Sequence, residues 1–295
     1  MSQELIKKIR TDAGDLQIDY NALANLPTIS NPNLLINSDF RNPINQRGKT
    51  TYTSAANNLE RIFTVDRWNI QNGGTLTIND GSVTFTSDNA TTGSCMFCQV
   101  VETLPTDDYT LQVKVKGGVN GAAIKVLDKS SQEVFNSQLT IGLNTFTMQN
   151  INIRSISINL GDNAYIELEW IKLECGTVAT KFTPKLRAEE LLSCYRFFYA
   201  VECRLLMNQY SSDHADGNIY YPIKMRTTPS VSLLEGTYFC SSKSTFLQPD
   251  SIEVNPNSFN EFYATIKIGK NNTDTFTPGN SINAKIKICL DAEIR

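Results

Sequence analysis

One histidine, His214, limits the chemistry open to this chain. It sits in Ser211-Ser212-Asp213-His214-Ala215-Asp216-Gly217, so the three group types of a hydrolytic triad occur within seven residues. A working triad brings nucleophile and base from separate elements, and no G-x-S-x-G elbow exists in the chain. A single histidine also excludes a multi-histidine metal site within one chain. Three copies would have to meet at a trimer axis, and a solvated loop histidine is the plainer reading. Glycan hydrolysis needs two carboxylates across a sugar, one with a raised pKa. Glu167 and Glu169 are two residues apart, about 7 Å by strand rise, a separation suited to inversion. Alternating charge on a solvated sheet face explains the same pattern. Cys95-Met96-Phe97-Cys98 is a CxxC without a second pair, in a run that reads as a strand. Positions i and i+3 of a strand face opposite sides, which favours buried free thiols over a metal or redox pair. The seven cysteines, odd in number and irregularly spaced, give no disulfide framework. Gly73-Gly74 and Gly117-Gly118 read as hairpin pairs, and neither a phosphate loop nor a dinucleotide fingerprint occurs. No catalytic residue, metal or cofactor is assigned.

Binding suits the remaining residues better. Sugar rings stack on exposed aromatic faces while amides and carboxylates hold the hydroxyls, and the chain has 11 Tyr and 14 Phe. Tyr238 and Phe246 fall in Gly236–Asp250, a polar stretch that reads as a long loop, where no core role accounts for them. Tyr210 and His214, beside the stretch Ser211–Gly217, follow as candidates. Trp68 completes the set of ligand-binding candidates, although a Trp opening a sandwich strand is more often core. Trp170 is assigned to the core or to a seam.

These residues are carried by a mostly β chain. At 295 residues it has room for two ordinary domains and an arm. Lys and Arg number 27 against 30 Asp and Glu, a net charge of −3 that offers no support for nucleic-acid binding. Apolar runs are too short to span a bilayer, so no membrane insertion is expected. MSQELIKKIRTDAGD lacks the apolar core of a secretion signal, which points to synthesis in a cytoplasm.

Residues 1–32 read as an arm with a short helix, whose Ile6, Ile9, Leu23 and Leu26 need a partner to cover them. Residues 33–182 read as one jelly-roll β-sandwich of about eight strands, similar to carbohydrate-binding modules. Thr75-Leu76-Thr77-Ile78 and Ser82-Val83-Thr84-Phe85-Thr86 flank an Asp-Gly, a strong hairpin mark. Ile166 to Glu174 alternates, but its apolar parity changes midway. A β-bulge, or a partner surface on both sides, would explain that. Residues 183–196 read as a linker with a short helix at 188–196, and residues 197–295 as a second β-sandwich, the tip. Its strands are expected at 197–208, 218–225, 230–234, 251–255, 261–268 and 283–292. Its long polar loops are expected at Ser211–Gly217, Gly236–Asp250 and Gly269–Ser281.

Four stretches carry a family resemblance. Asn33-Leu34-Leu35-Ile36-Asn37-Ser38-Asp39-Phe40 through Pro43-Ile44-Asn45-Gln46-Arg47-Gly48, then Asp66-Arg67-Trp68, resemble the opening of phage tail-fibre and receptor-binding proteins. The phages concerned infect gut bacteria and Firmicutes. The segment 165–200 resembles the seam of that family, and Pro222 to Val231 is similar to a strand of its tip domain. The resemblance implies a homotrimer in the virion, made in the bacterial cytoplasm. It also implies that residues 1–32 dock on tail, baseplate or capsid proteins and that the tip binds a bacterial surface glycan without catalysis. Three linked weak sites gain strength by avidity. A small polysaccharide hydrolase or esterase, and a purely structural virion adaptor, are the alternatives.

Overall fold

The computed structural model describes residues 30–87, 94–102, 104–118, 121–209, 211, 214–240, 245–247, 251–259, 263–269 and 280–294. For residues 233, 235–240, 245–247, 252–259 and 264 it describes the backbone. The arm residues Ile6, Ile9, Leu23 and Leu26 and the candidate Tyr210 lie outside the described residues.

Among the described residues, twelve strands precede one helix. They are β1 (Thr51–Thr53), β2 (Ile62–Phe63), β3 (Asn69–Gln71), β4 (Gly74–Asn79), β5 (Ser82–Ser87) and β6 (Cys95–Val100). Then come β7 (Asp107–Gly117), β8 (Ala123–Leu127), β9 (Glu133–Gln138), β10 (Gly142–Ile151), β11 (Ser155–Leu160) and β12 (Tyr165–Cys175). They form two six-stranded sheets, ordered β1-β4-β5-β12-β7-β10 and β2-β3-β6-β11-β8-β9. Their pairings are antiparallel throughout the described residues. The alternation that suggested a hairpin is one: Asn79 pairs with Ser82 across Asp80-Gly81, with Gly81 at φ 75°. β10 ends at Ile151 and β11 begins at Ser155. Those two strands belong to different sheets, so the chain crosses the sandwich between them.

Between the sheets lies an aromatic centre. Trp68 and Phe97 stack at 4.8 Å between ring centroids, and Phe40 meets Trp68 edge-on at 5.2 Å. Phe85 packs on Phe97 at 5.7 Å, and Leu76, Val83, Leu111, Ile124, Ile156, Ile158, Ile166 and Leu168 surround the group at 0% exposure. Removing these side chains from water supplies the main stabilisation of the sandwich.

The parity change in β12 is a β-bulge. Its register against β7 shifts between Glu167 and Leu168 and again between Leu168 and Trp170. Ile166 and Leu168 therefore face the core before the bulge, and Ile171 and Leu173 after it, all fully buried. The second half of β12 is also covered on the outside. Trp170 stacks on Phe182 at 4.4 Å and 5° between planes, so the chain after β12 folds back over the sheet. Beneath that strap Lys172 Nζ, 1% exposed, donates to Glu174 Oε2 at 3.0 Å, to Thr180 Oγ1 at 2.6 Å and to the carbonyls of Thr180 and Lys181. A buried ammonium survives because its proton donors are matched by acceptors.

The helix α1 (Arg187–Tyr195) begins one residue before the sequence expectation. Beyond it run β13 (Phe198–Gln209), β14 (His214–Tyr220), β15 (Ser230–Cys240), β16 (Thr245–Leu247), β17 (Ser251–Phe259), β18 (Tyr263–Gly269) and β19 (Ser281–Asp291). The expected second sandwich is instead one seven-stranded sheet, ordered β16-β15-β19-β13-β14-β18-β17. Its end strand β17 comes back alongside β15 without pairing with it, so the sheet rolls over its own apolar face. That face carries Leu205, Met207, Ile219, Ile266, Ile268, Ile282, Ile286, Ile288 and Leu290.

Candidate functional site

Within the stretch expected as a loop at Gly236–Asp250, the described residues 236–240 and 245–247 are strand. Tyr238 lies on β15 and Phe246 on β16, paired in register with Leu247 and Phe239 respectively. Tyr238 is also in register with Ala284 of β19. These two aromatics therefore stand on paired strands and not in a loop. Trp68 fails as a ligand platform. It is 0% exposed, and its indole N–H donates to the carbonyls of Ile36 and Asn37 at 3.2 and 3.0 Å. A ring closed in this way cannot be reached from solvent.

His214 fares better. It opens β14, half-buried, with Nδ1 3.4 Å from Ser211 Oγ. Its cross-strand partner is Gly269, and a Cβ there would meet Ser251 Oγ at 2.4 Å and the His214 ring at 3.6 Å. The glycine is what lets β14, β18 and β17 close together at this end. Alternation then places His214, Asp216, Asn218 and Tyr220 on the outer face, because Ala215 and Ile219 between them are buried.

The same face of β18 presents Lys267, Thr265 and Tyr263 opposite Asp216, Asn218 and Tyr220. Tyr220 is 69% exposed, and its ring lies 5.7 Å from that of Tyr263 at 52°. Thr265 Oγ1 donates to Asn218 Oδ1 at 2.8 Å, which fixes the amide with its NH2 toward solvent. Asp216 has no ion-pair or hydrogen-bond partner for its carboxylate among the described residues. A paired aromatic surface, an oriented amide donor and an unengaged carboxylate thus follow one another along β14. From Tyr220 to Asp216 the strip runs about 13 Å by strand rise. An apolar ring face beside a few fixed polar groups is the usual lining of a binding site for a polyhydroxylated ligand. Sequence reasoning missed Tyr220 and Tyr263 because it looked for exposed aromatics in loops. The alternation of Asn218-Ile219-Tyr220-Tyr221 carried the signal.

Glu167 and Glu169 do not form an acid-base pair. The carboxylate of Glu167 accepts from Lys116 Nζ at 2.8 Å and Ser82 Oγ at 2.6 Å, which holds its pKa below the usual carboxylate value, opposite to the need of an acid catalyst. Cys95 faces the core at 0% exposure and Cys98 the opposite side, both as free thiols. Among the described residues no group of three or more His, Cys, Asp or Glu is placed to hold a metal ion. No helix among them is long and apolar enough to cross a membrane.

The residues of the PINQRG and DRW motifs form the joint between the two β units. The Gln46 side chain reaches both ways: Nε2 donates to Asp66 Oδ2 at 2.5 Å and to the Phe198 carbonyl at 2.7 Å, while Oε1 accepts from Ala200 N at 3.0 Å. Arg67, 2% exposed and at φ 73°, pairs through Nη1 with Glu293 Oε2 and donates from Nη2 to the Val100 carbonyl at 2.6 Å. Its guanidinium lies 3.6 Å from the Phe197 ring centre, and that of Arg47 lies 3.8 Å from Phe198. Burial pushes Asp66 up to about 7 despite Arg47 and Gln46 beside it.

No family model matches the chain, and no curated protein matches it. Among solved structures, one described as "CBM4 structure and function" is 18% identical, over 34% of this chain and 75% of that one, with a TM-score of 0.27. The CBM22-1–CBM22-2 tandem domain of Paenibacillus barcinonensis Xyn10C is 9% identical over 89% of this chain and 98% of that one, with a TM-score of 0.30. Likeness of this order assigns no activity, and function has to be read from the residues above.

Proposed function

We propose that this protein is a non-catalytic receptor-binding protein of the tail-fibre type, attaching a particle to a bacterial surface glycan through the outer face of its tip sheet. The observation that carries this reading is the strip Tyr220, Tyr263, Asn218 and Asp216, since Tyr220, 69% exposed, presents most of its ring to solvent beside fixed polar groups. The sugar's apolar face would lie on the tyrosine rings, the Asn218 amide would donate to a hydroxyl, and Asp216 would accept from another. Such a site on a preformed sheet loses little conformational entropy on binding. The order of the NLL, PINQRG and DRW stretches supports the tail-fibre assignment. In this reading the chain assembles as a homotrimer, and residues 1–32 attach it to tail, baseplate or capsid proteins. Trimerisation multiplies three weak sugar contacts by avidity.

The test is binding of the fluorescently labelled protein to a glycan array and to intact bacteria, comparing the wild type with Tyr220→Ala and Asn218→Ala. Expected is a loss of roughly tenfold or more in affinity for Tyr220→Ala, as for one base-sized ring lost from an aromatic stack, with an unchanged molar mass by light scattering. Glycan binding that survives both substitutions overturns the assignment of the site. A shortened glycan after incubation would turn the reading toward a hydrolase.

A further inference from the structure

A second feature of the molecule is independent of the tip strip. Where the outer sheet of the sandwich meets the C-terminal segment there is a cleft of about 480 Å³. It is lined by Val100, Val101, Glu102, Lys129 and Arg154 from the sandwich, and by Arg226 and Ile294 from the tip unit. Three of its residues are cationic in a chain whose net charge is −3. None of the three has a carboxylate within ion-pair distance among the described residues. The lining carboxylate, Glu102, is already neutralised, both of its oxygens accepting from Arg196 at 2.8 and 3.0 Å.

The guanidinium groups are partly fixed before any ligand arrives. Arg226 donates from Nε to the Ala292 carbonyl at 2.9 Å and from Nη2 to that of Glu293 at 3.3 Å, which leaves Nη1 unused. Arg154 uses Nη1 on Ser131 Oγ and keeps Nε and Nη2. The Lys129 ammonium has no partner among the described residues. Arg61 lies close by, donating to the Ile294 carbonyl at 3.0 Å. Guanidinium groups held in place on one side, together with an ammonium, are a donor set that an oxyanion accepts.

We propose that this cleft binds an oxyanion, a phosphate or a carboxylate carried by a larger ligand, and that the bound anion clamps the tip unit to the sandwich. The clamp follows from the lining: Lys129 and Arg154 belong to one unit and Arg226 to the other. A ligand held by both stabilises their docked state by mass action.

The experiment is thermal unfolding of the full chain in inorganic phosphate, in glucuronate, and in chloride at matched ionic strength. Wild type, Lys129→Gln, Arg154→Gln and Tyr220→Ala are compared, with isothermal titration of the same anions. Expected is a rise in Tm of about 3 °C or more in the specific anion over chloride, with affinity falling roughly tenfold in each cation variant. Phosphate alone as the active anion identifies a phosphate-bearing ligand, and glucuronate alone a uronate. Tyr220→Ala keeps the full effect, so failure of the tip site and failure of this cleft are read separately. No shift beyond chloride in either anion overturns the proposal. A shift that persists undiminished in both cation variants also overturns it, as an effect of the salt on the whole surface.

Discussion

The two β units of this chain build their cores from different residues and use their described aromatic rings differently. In the sandwich, Phe40, Trp68, Phe85, Phe97 and Tyr109 are all at 0% exposure, packed between two layers. In the tip, the core is built mostly from Ile, Leu, Met and Ala, and Tyr220 stands on the outer face beside Tyr263. Two sheets about 10 Å apart leave room for rings to interdigitate. Tyr221 takes the one described ring position in the tip core, while Tyr220, one residue earlier, faces solvent. An aromatic residue in this chain is therefore read by its sheet and its parity, and its count in the composition says little.

The largest effect expected from this contrast is in the sandwich. Trp68→Ala removes a stacked ring and two indole hydrogen bonds from a fully closed site. The cost is about 3–5 kcal/mol, measured as a fall in the denaturation midpoint of urea unfolding. A loss below about 1 kcal/mol would show that the cluster is not the centre of the core.

Next in size is a pH effect at the joint between the units. Asp66 is raised from 3.8 to about 7 by burial, so the folded protein holds a proton there that the unfolded chain has already released. The sign follows: this contribution is fully present below pH 3.8 and is lost as pH rises to about 7, then stays constant. Three pKa units correspond to about 4 kcal/mol. Exposed carboxylates act in the opposite sense at lower pH, since Glu133 and Glu167 are held below their usual value by Lys125 and Lys116. Tm should thus fall between pH 5 and 7.5, and Asp66→Asn should flatten that slope. A Tm that climbs over the same interval would refute the buried-acid account.

How much of this could be read from sequence depends on range. The Asp80-Gly81 hairpin and the bulge in β12 are written in neighbouring residues, because period-two alternation and its interruption are local. So was the outer face of β14, once Ile219 and Tyr221 are recognised as its inner pair. The joint was not legible. Arg67 and Glu293 are 226 residues apart, and nothing near either announces the other. PINQRG and DRW were visible as motifs, but their work of docking the tip appears only when Gln46 is seen reaching Asp66, Phe198 and Ala200 together. Tyr238 and Phe246 lie in a polar sequence that reads as a loop, yet β15 and β16 pair there as antiparallel strands. A strand of a rolled sheet with one solvated face tolerates Ser, Thr and Lys freely.

The smallest expected stability effect sharpens the contrast most. Tyr220→Ala removes one member of a cross-strand pair on the outer face, and such pairs contribute about 0.2–1 kcal/mol. Its Tm should stay within a few degrees of wild type, whereas Trp68→Ala shifts it far more. Glycan binding should respond in the reverse order: abolished or much weakened by Tyr220→Ala, and unchanged per folded molecule by Trp68→Ala assayed well below its lowered Tm. Equal destabilisation by the two substitutions would make Tyr220 a packing residue and remove the reason for assigning it to a ligand. A stable Tyr220→Ala protein that no longer binds would separate the two roles of aromatic residues, because the sandwich ring would then govern folding and the tip ring recognition.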